Sequence, residues 1–253
     1  MGRFTRPYRE LSLTCKGKLL FAVIHPFRQV HREELNALTG ALLQEDGDLS
    51  PFEACLVTDR ESRDLFVCTH GSHDVCCGKF GYFIYKEIDD RYALHSGGSL
   101  RVWRTSHFGG HRHAPTMIDF PECRYWAQIT PGLLDALLLR KGGFEHIARN
   151  YRGWGRIGTF EQVAEREIFL REGWDWIKYK KQAVLRRKDD TSAVVRLSFW
   201  RSEDGAECET YEVEVCISGK VETGGCGHGW GEARQFTVSN VAKVSASDTE
   251  TTV

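Results

Sequence analysis

The sequence lacks any long hydrophobic run and any strong excess of charge. No stretch approaches the roughly 18 consecutive apolar residues of a membrane-spanning helix, so we expect no membrane segment. The formal net charge is −1 over 253 residues, without the overall positive field that nucleic-acid binding requires. The first residues also lack the apolar core of a secretory signal. The sequence therefore predicts a cytoplasmic protein with neither a nucleic-acid nor a membrane partner.

The number of cysteines argues against a disulfide framework. There are nine, an odd number in a chain with no secretion signal, so metal ligation or ordinary burial is expected to account for most of them. Those in apolar or alternating stretches are interpreted as core residues: Cys15, Cys55, Cys208 and Cys216. Cys226 lies in a glycine-rich segment with His228, which we interpret as a surface loop or, alternatively, as an accessory pair of ligands.

Two short segments contain most of the donors that bind soft metals. Residues 68–77 are CTHGSHDVCC, and residues 107–111 are HFGGH. Two thiolates with two imidazoles fit a tetrahedral zinc ion or the four terminal positions of a [2Fe–2S] cluster. Cys68 and Cys77 are nine positions apart, wider than the C-x2-4-C pair of most structural zinc sites. Donor types and spacing leave zinc, an iron–sulfur cluster and unrelated core or surface residues all open.

The HFGGH segment is predicted to be a loop. On a helix, His107 and His111 would share one face, but Gly109 and Gly110 would each cost about 1 kcal/mol in a helix interior. Glycine beside a ligand also allows the backbone to approach a bound group closely.

Three motifs together resemble the sucrase/ferredoxin-like family: CTHG from residue 68, CCG at residues 76–78 and HFGGHRHAPT at residues 107–116. The resemblance covers roughly residues 15–140 and implies a thioredoxin-like ferredoxin. The C-x8-C and H-x3-H branch implies a [2Fe–2S] cluster held by two cysteines and two histidines. The matching positions are Cys68, Cys77, His107 and His111. The sequence departs from the pattern at His73, where we expect arginine, and at Cys123, where we expect glycine.

Neighbouring residues leave alternatives at this site. Cys76 adjoins Cys77, so spacing alone allows either as the second thiolate, or a vicinal disulfide between them. The family pattern places the ligand directly before Gly78, so Cys77 is the predicted ligand and Cys76 is interpreted as a buried thiol. The remaining nearby imidazoles are expected beside the ligands or at the surface: His70, His73 and His113.

Hydrophobic patterning predicts a mixed α/β fold with the donors in loops. Strands are predicted at residues 19–24, 54–58, 64–68, 100–106 and 125–129, and helices at 32–43, 78–92 and 131–139. The helix at 78–92 is expected to present Phe80, Phe83, Ile84, Ile88 and Tyr92 on one face. Cys68 ends a predicted strand, and open α/β sheets place their sites at that edge.

The second half of the chain is predicted to hold one helix and a small β region. A capping box at residues 159–162 predicts a helix to about residue 172. Strands are predicted at 193–200, 209–218 and 235–244, the first two around an Asp204-Gly205 turn. The expected units are a thioredoxin-like ferredoxin domain (1–140), a loop-rich and helical linker (141–175), a C-terminal antiparallel β-hairpin region (176–244) and a disordered tail (245–253).

The resemblance implies an electron carrier or oxidoreductase component with a Cys2His2-ligated [2Fe–2S] cluster. Because the second ring nitrogen of a ligand imidazole can release a proton, electron transfer is expected to be coupled to protons. The expected partner is a redox protein, such as a flavin-containing reductase. Four arginines are interpreted as solvated residues or as a basic rim for that partner: Arg101, Arg104, Arg112 and Arg124. The alternatives are a structural zinc-binding interaction module with the same ligands, a thiol–disulfide oxidoreductase and a hydrolase, although no carboxylate pair supports hydrolysis.

Overall fold

The computed structural model describes residues 31, 33–44, 47–55, 62–202, 208–225 and 228–244. The helices are α1 (Leu35–Leu43), α2 (Tyr82–Ile88), α3 (Leu134–Leu138) and α4 (Thr159–Glu172). The strands are β1 (Arg63–Cys68), β2 (Leu100–Thr105), β3 (Thr116–Phe120), β4 (Arg124–Ala127), β5 (Tyr151–Trp154), β6 (Lys180–Lys188), β7 (Ser192–Trp200), β8 (Cys208–Gly225) and β9 (His228–Val244). Across these ranges, no helix is long and apolar enough to cross a membrane.

Short helical turns connect these elements. Those of 3-10 type are Ser50–Cys55, His111–His113, Pro131–Leu133, Phe144–His146, Ala148–Asn150 and Gly173–Ile177. Two π turns, Cys77–Gly81 and Asp89–Ala93, flank α2 and make one continuous helical segment with it. The helix predicted at residues 78–92 is therefore present, with π geometry at both ends.

The first sheet has five strands in the order β2-β1-β3-β4-β5. β1 and β2 are parallel and joined by the α2 segment, whereas β3, β4 and β5 pair antiparallel. A parallel pair needs such a crossover, because its second strand must start at the end where the first one started. The mixed α/β class predicted from the sequence is confirmed.

β3 was not predicted from the sequence, although it pairs with both β1 and β4. All five of its residues are buried, so the strand has no wet face and no alternation to detect. It also carries a buried carboxylate, Asp119, which accepts hydrogen bonds from the Arg63 guanidinium at 2.6 and 2.8 Å. A charged residue in a five-residue stretch hides the apolar signal of a buried strand.

The face that the α2 segment buries differs from the predicted one. Ile84 and Ile88 are buried as expected, but Phe80 and Phe83 are 46% and 54% exposed. Gly81 is buried instead, because the π turn Cys77–Gly81 widens the first turn and shifts the phase of the residues that follow. The prediction for the two phenylalanines is wrong.

The second sheet is antiparallel, with four strands in the order β6-β7-β8-β9. This confirms the predicted C-terminal antiparallel region and adds β6, which was not predicted. β7 alternates cleanly, burying Ala193, Val195, Leu197 and Phe199 toward the core. The predicted Asp204-Gly205 turn lies outside the described residues.

α4 matches the predicted helix, but its N-terminus is built differently. Gly158 is the N-cap, and Thr159 is the first helical residue. Gln162 does not complete a capping box; its Nε2 donates to the carbonyl oxygens of Trp154 and Ile157, at 2.9 and 3.2 Å. The side chain thus fixes the turn that leads into the helix.

One hydrophobic core runs from the first sheet through α4 to the second. It joins Leu65 and Trp126 of the first sheet, Ile168 of α4 and Leu197 of the second sheet. β5 lies inside the stretch predicted to be a linker and pairs with β4. The stretch therefore supplies a strand to the sheet and a helix to the core, while the predicted unit boundaries stay a prediction.

Several sequence predictions lie wholly or partly outside the described residues. The strand at 19–24, Cys15, Cys226 and the tail at 245–253 are outside them. Of the strand predicted at 54–58, residues 54 and 55 belong to the 3-10 turn Ser50–Cys55, and the rest is outside.

A buried ion pair connects β4 to α4. Arg124, interpreted from the sequence as part of a basic rim, is 1% exposed, and its Nη1 donates to Glu165 Oε1 at 2.8 Å. The same carboxylate accepts hydrogen bonds from the Tyr151 hydroxyl at 2.9 Å and from the Trp176 indole N–H at 2.6 Å. Burial and the nearby Arg124 lower the pKa of Lys181 to about 7, which marks how dry this region is. The rim interpretation of Arg124 is wrong, since its charge is neutralised inside the protein.

We expect Arg124→Met to lower the free energy of unfolding by about 3–5 kcal/mol, because the Glu165 carboxylate would be left buried without its cation. Guanidinium unfolding followed by circular dichroism measures this loss. The matched control is Arg91→Met, which breaks an exposed i,i+4 pair with Glu87 and should cost less than about 1 kcal/mol. Similar losses in the two variants would contradict the role given to the buried pair.

Candidate metal centre

The parallel pairing of β1 and β2 brings the two donor segments together. Cys68, the last residue of β1, is in register with Thr105, the last residue of β2. The carboxyl ends of parallel strands meet at one edge of a sheet, so the loops after both strands start side by side. The Thr69 N–H donates to the Thr105 carbonyl at 3.2 Å and continues the pairing by one residue. His107 follows two residues after the end of β2.

Glycines let the helical segment approach β1 closely enough to place Cys77 beside Cys68. A Cβ on Gly81 would lie 1.9 Å from the Cys68 carbonyl oxygen, and one on Gly78 would lie 2.6 Å from the Gly71 Cα. Side chains at these two positions would therefore collide with backbone, which cannot yield as a flexible side chain can. The sequence analysis placed both glycines inside the helix predicted at 78–92 and missed their contact roles.

Three of the four predicted ligands converge on one point. His107 Nδ1 lies 3.7 Å from the sulfur of Cys68 and 3.7 Å from the sulfur of Cys77. All three donor atoms lie within 4.8 Å of one another. Ligands on one tetrahedral metal with bonds of about 2.0–2.3 Å are about 3.3–3.8 Å apart, so this spacing suits donors that share a metal centre.

Both sulfurs lie in a dry environment. Cys68 and Cys77 are fully buried. Burial, reinforced by the hydrogen bond and charge of Cys68, raises the pKa of the Cys77 thiol to about 12. Two thiolates this close repel each other unless a cation lies between them, and a metal ion provides that charge. The electrostatics therefore favour either a protonated pair or a pair that holds a metal.

Two further histidines surround the His107 ring. The His73 ring stacks on it with centroids 4.1 Å apart and planes 26° apart. The His107 backbone N–H donates to His70 Nδ1 at 3.2 Å. His70 and His73 thus lie beside the group of three donors rather than within it, as the sequence led us to expect.

Cys76 lies outside that group. It is half-buried, and its backbone N–H donates to the Oδ1 of the buried Asp74 at 2.7 Å. Asp74 thereby fixes the start of the helical segment, a role that no sequence motif indicated. Among the described residues, the group with metal-ligand geometry holds Cys77 and not its neighbour.

The backbone of the HFGGH segment is irregular, as predicted. Gly109 and Gly110 have φ angles of 106° and 72°, a region that other residues rarely adopt. The turn His111–His113 follows, with the His113 N–H bonded to the Gly110 carbonyl at 2.8 Å. The His111 side chain is outside the described part of the structure, so its place in the ligand set stays a prediction.

Cys123 occupies the position where the family resemblance implies glycine. Its φ is 58°, in the left-handed region that glycine tolerates best. The side chain is buried in a small cluster with Ile118 and Phe120. The residue adopts the conformation expected of a glycine at this position, and its sulfur packs as a core group away from the three donors.

The family model described as Sucrase/ferredoxin-like matches residues 7–153, which include the three donor residues. This chain belongs to the sucrase/ferredoxin-like family. The resemblance drawn from the CTHG, CCG and HFGGHRHAPT motifs is confirmed.

The similar proteins match only part of this chain, and the chain spans about a third of the length of the curated relative. A segment of 98 residues is 29% identical to "Altered inheritance of mitochondria protein 32" of Meyerozyma guilliermondii, covering 36% of this chain and 34% of that protein. A thioredoxin-like [2Fe–2S] ferredoxin from Aquifex aeolicus is similar at 14% identity and a TM-score of 0.33, over 39% of this chain and 98% of the ferredoxin. Its wild-type crystal structure at 1.5 Å resolution is similar at 13% identity and a TM-score of 0.28, over 32% and 84%.

We expect Gly81→Ala to displace the helical segment from β1, because the new methyl group would meet the Cys68 carbonyl oxygen. Overpacking of this kind costs about 1–3 kcal/mol, and it would also separate Cys77 from Cys68. The measurements are unfolding by denaturant and the metal content of the purified protein.

Gly132→Ala is the matched control, since a Cβ there meets nothing within 4 Å. It should leave stability and metal content near the wild-type values. Normal metal content in Gly81→Ala would contradict the close-approach argument.

Proposed function

We propose that this protein is an electron carrier or oxidoreductase component whose [2Fe–2S] cluster is held by Cys68, Cys77, His107 and His111. The observation that carries the proposal is the convergence of two buried sulfurs and one imidazole nitrogen at the carboxyl edge of β1 and β2. The fourth ligand follows from the family pattern, because His111 is four residues after His107.

The residues present fit such a cluster. Thiolates and imidazoles are its usual protein ligands, and a mixed set raises the reduction potential relative to four cysteines. The loop glycines Gly109 and Gly110 leave open space beside their backbone, whereas those at the start of the helical segment let it pack against β1. The buried sulfurs exclude water, which lowers the local dielectric and strengthens the hold of the thiolates on a cation.

A bound cluster supplies one-electron redox chemistry. The chain holds it at a dry edge of the sheet through the two cysteines, and the half-buried His107 gives a short route to the surface. Because Nδ1 of His107 faces the sulfurs, its Nε2 lies on the far side of the ring. Coupling of electron transfer to a proton at a ligand histidine stays a prediction from the sequence.

A redox protein that supplies or takes up the electron is part of the proposal, and a flavin-containing reductase has suitable chemistry. The proposal also places the protein in a reducing compartment such as the cytoplasm. The described cysteines are all free thiols, which suits such a compartment. They are Cys55, Cys68, Cys76, Cys77, Cys123, Cys208 and Cys216.

A structural zinc site is the second candidate, and one observation favours it. The 3.7 Å separations of His107 Nδ1 from both sulfurs are close to those of neighbouring ligands on a single tetrahedral zinc. The protein would then be an interaction module with no redox role.

Metal analysis of protein purified without oxygen, from cells with ample iron and cluster assembly, tests the proposal. We expect about two irons and two acid-labile sulfides per chain, with visible absorption and, after reduction, an EPR signal. Colourless protein with one zinc per chain would establish the second candidate and refute the first.

Replacement of the vicinal cysteines distinguishes the ligand from its neighbour. Cys77→Ser should remove most of the bound iron, because its sulfur is buried and faces His107. Cys76→Ser is the matched control and should keep the iron and the absorption spectrum. The reverse result would assign the second thiolate to Cys76.

A further inference from the structure

An exposed surface of aromatic and basic residues lies next to the candidate metal centre. We name it the aromatic–basic surface, and it consists of Val75, Lys79, Phe80, Tyr82, Phe83 and Arg104. Lys79, Phe80, Tyr82 and Phe83 lie on the helical segment that carries the buried Cys77, and Val75 lies just before it. Arg104 is on β2, and its Nε donates to Thr69 Oγ1 at 3.3 Å, directly after Cys68.

The apolar members are unusually exposed for their size. Val75 is 74% exposed, Phe83 is 54% exposed and Tyr82 is 47% exposed. Phe80 and Phe83 lie three residues apart on the helical segment, so their exposed rings are neighbours on its surface, and Tyr82 adjoins Phe83 in the chain. Contiguous apolar surface with aromatic residues is typical of protein interfaces and costs free energy when it stays in water.

Cations lie directly over these rings. The Lys79 ammonium is 5.5 Å from the centre of the Phe80 ring, and the Arg104 guanidinium is 5.3 Å from that of Tyr82. A cation over a ring face is attracted to it, which holds the charge at the patch rather than out in solvent. A partner that contacts the apolar rings therefore contacts the positive charges as well.

The two segments that border the site contain no acidic residue, but two of their five cations are paired with carboxylates elsewhere: Lys86 with Asp90 and Arg101 with the buried Asp64. Residues 75–86 contain two lysines and no Asp or Glu, and residues 100–118 contain three arginines and no Asp or Glu. The nearest acid before the first segment, Asp74, is buried. In a chain of net charge −1, the basic field at this edge is a local feature.

We propose that the aromatic–basic surface docks an acidic redox protein, with its carboxylates beside Lys79 and Arg104 and an apolar contact on Phe80 and Phe83. The proposal deepens the proposed function, on which it rests, by giving the electron partner a sign of charge and a docking position. Opposite charges steer such a partner to the patch, and apolar contact then holds it over the helix that carries Cys77.

Calorimetric titration with a flavodoxin of strongly negative net charge tests the docking. The protein is used as purified, with its metal content determined beforehand. We expect binding that weakens as salt rises, and a loss of about tenfold or more in affinity for Lys79→Glu. Phe83→Ser should weaken binding to a similar extent without changing its dependence on salt, because it removes apolar contact and no charge.

Lys178→Glu is the matched control: it makes the same change in net charge at an exposed lysine with 70% of its side chain accessible, just before the second sheet. It should bind as the wild type does. Equal weakening in Lys79→Glu and Lys178→Glu, or no binding at low salt, would overturn the proposal. A wild-type dimer that Phe83→Ser dissociates would also overturn it, because a second copy would then cover the surface.

The metal content separates this proposal from the proposed function. Zinc-containing protein that binds the probe through Lys79 and Phe83 would support the docking surface and refute the cluster. Iron-containing protein whose binding ignores both substitutions would refute the docking surface and leave the cluster in place.

Discussion

The in-register parallel pairing of β1 and β2 is the constraint on which the site depends. It pairs Cys68 with Thr105, so the loops that follow the two strands begin side by side at one edge of the sheet. Side chains alternate across a sheet, and a slip of one residue would turn the Cys68 sulfur to the opposite face. β1 is fixed on its other side by β3, whose Asp119 holds Arg63 at the start of β1. The donor geometry is therefore a consequence of how β1 is held between two neighbours.

The close approach of the helical segment to β1 links the buried site to the exposed surface. Gly81 lets the backbone lie against Cys68, and the π turn that contains Gly81 places it toward the sheet. The same shift of phase turns Phe80 and Phe83 outward. A regular helix with the predicted face would bury these rings. The candidate metal centre and its aromatic surroundings thus arise from one local feature of the backbone.

The sequence predicts the parts of this site that depend on local pattern, but not those that depend on how elements pack. β1, the helix after it and the irregular HFGGH loop were all predicted, because strand propensity, helical spacing and paired glycines act over a few residues. β3 was missed since a strand buried on both faces has no alternation, and Asp119 masks its apolar character. The π turn left no periodic signal, because it changes the phase by a single residue. The choice of Cys77 rather than Cys76 as the ligand came from family resemblance and not from spacing.

The arginines near the donor segments show why charge in a sequence does not locate charge on a surface. Arg124 pairs with Glu165 inside the core, and Arg101 pairs with the buried Asp64 of the neighbouring strand. Each of these two cations meets a carboxylate that the sequence places far away, so neither contributes much field outside the protein. Arg104 instead rests over an aromatic ring, where its charge stays exposed to a partner. Within the described residues, the basic character of this edge therefore comes from cations such as Lys79 and Arg104, which rest over aromatic rings beside the candidate metal centre.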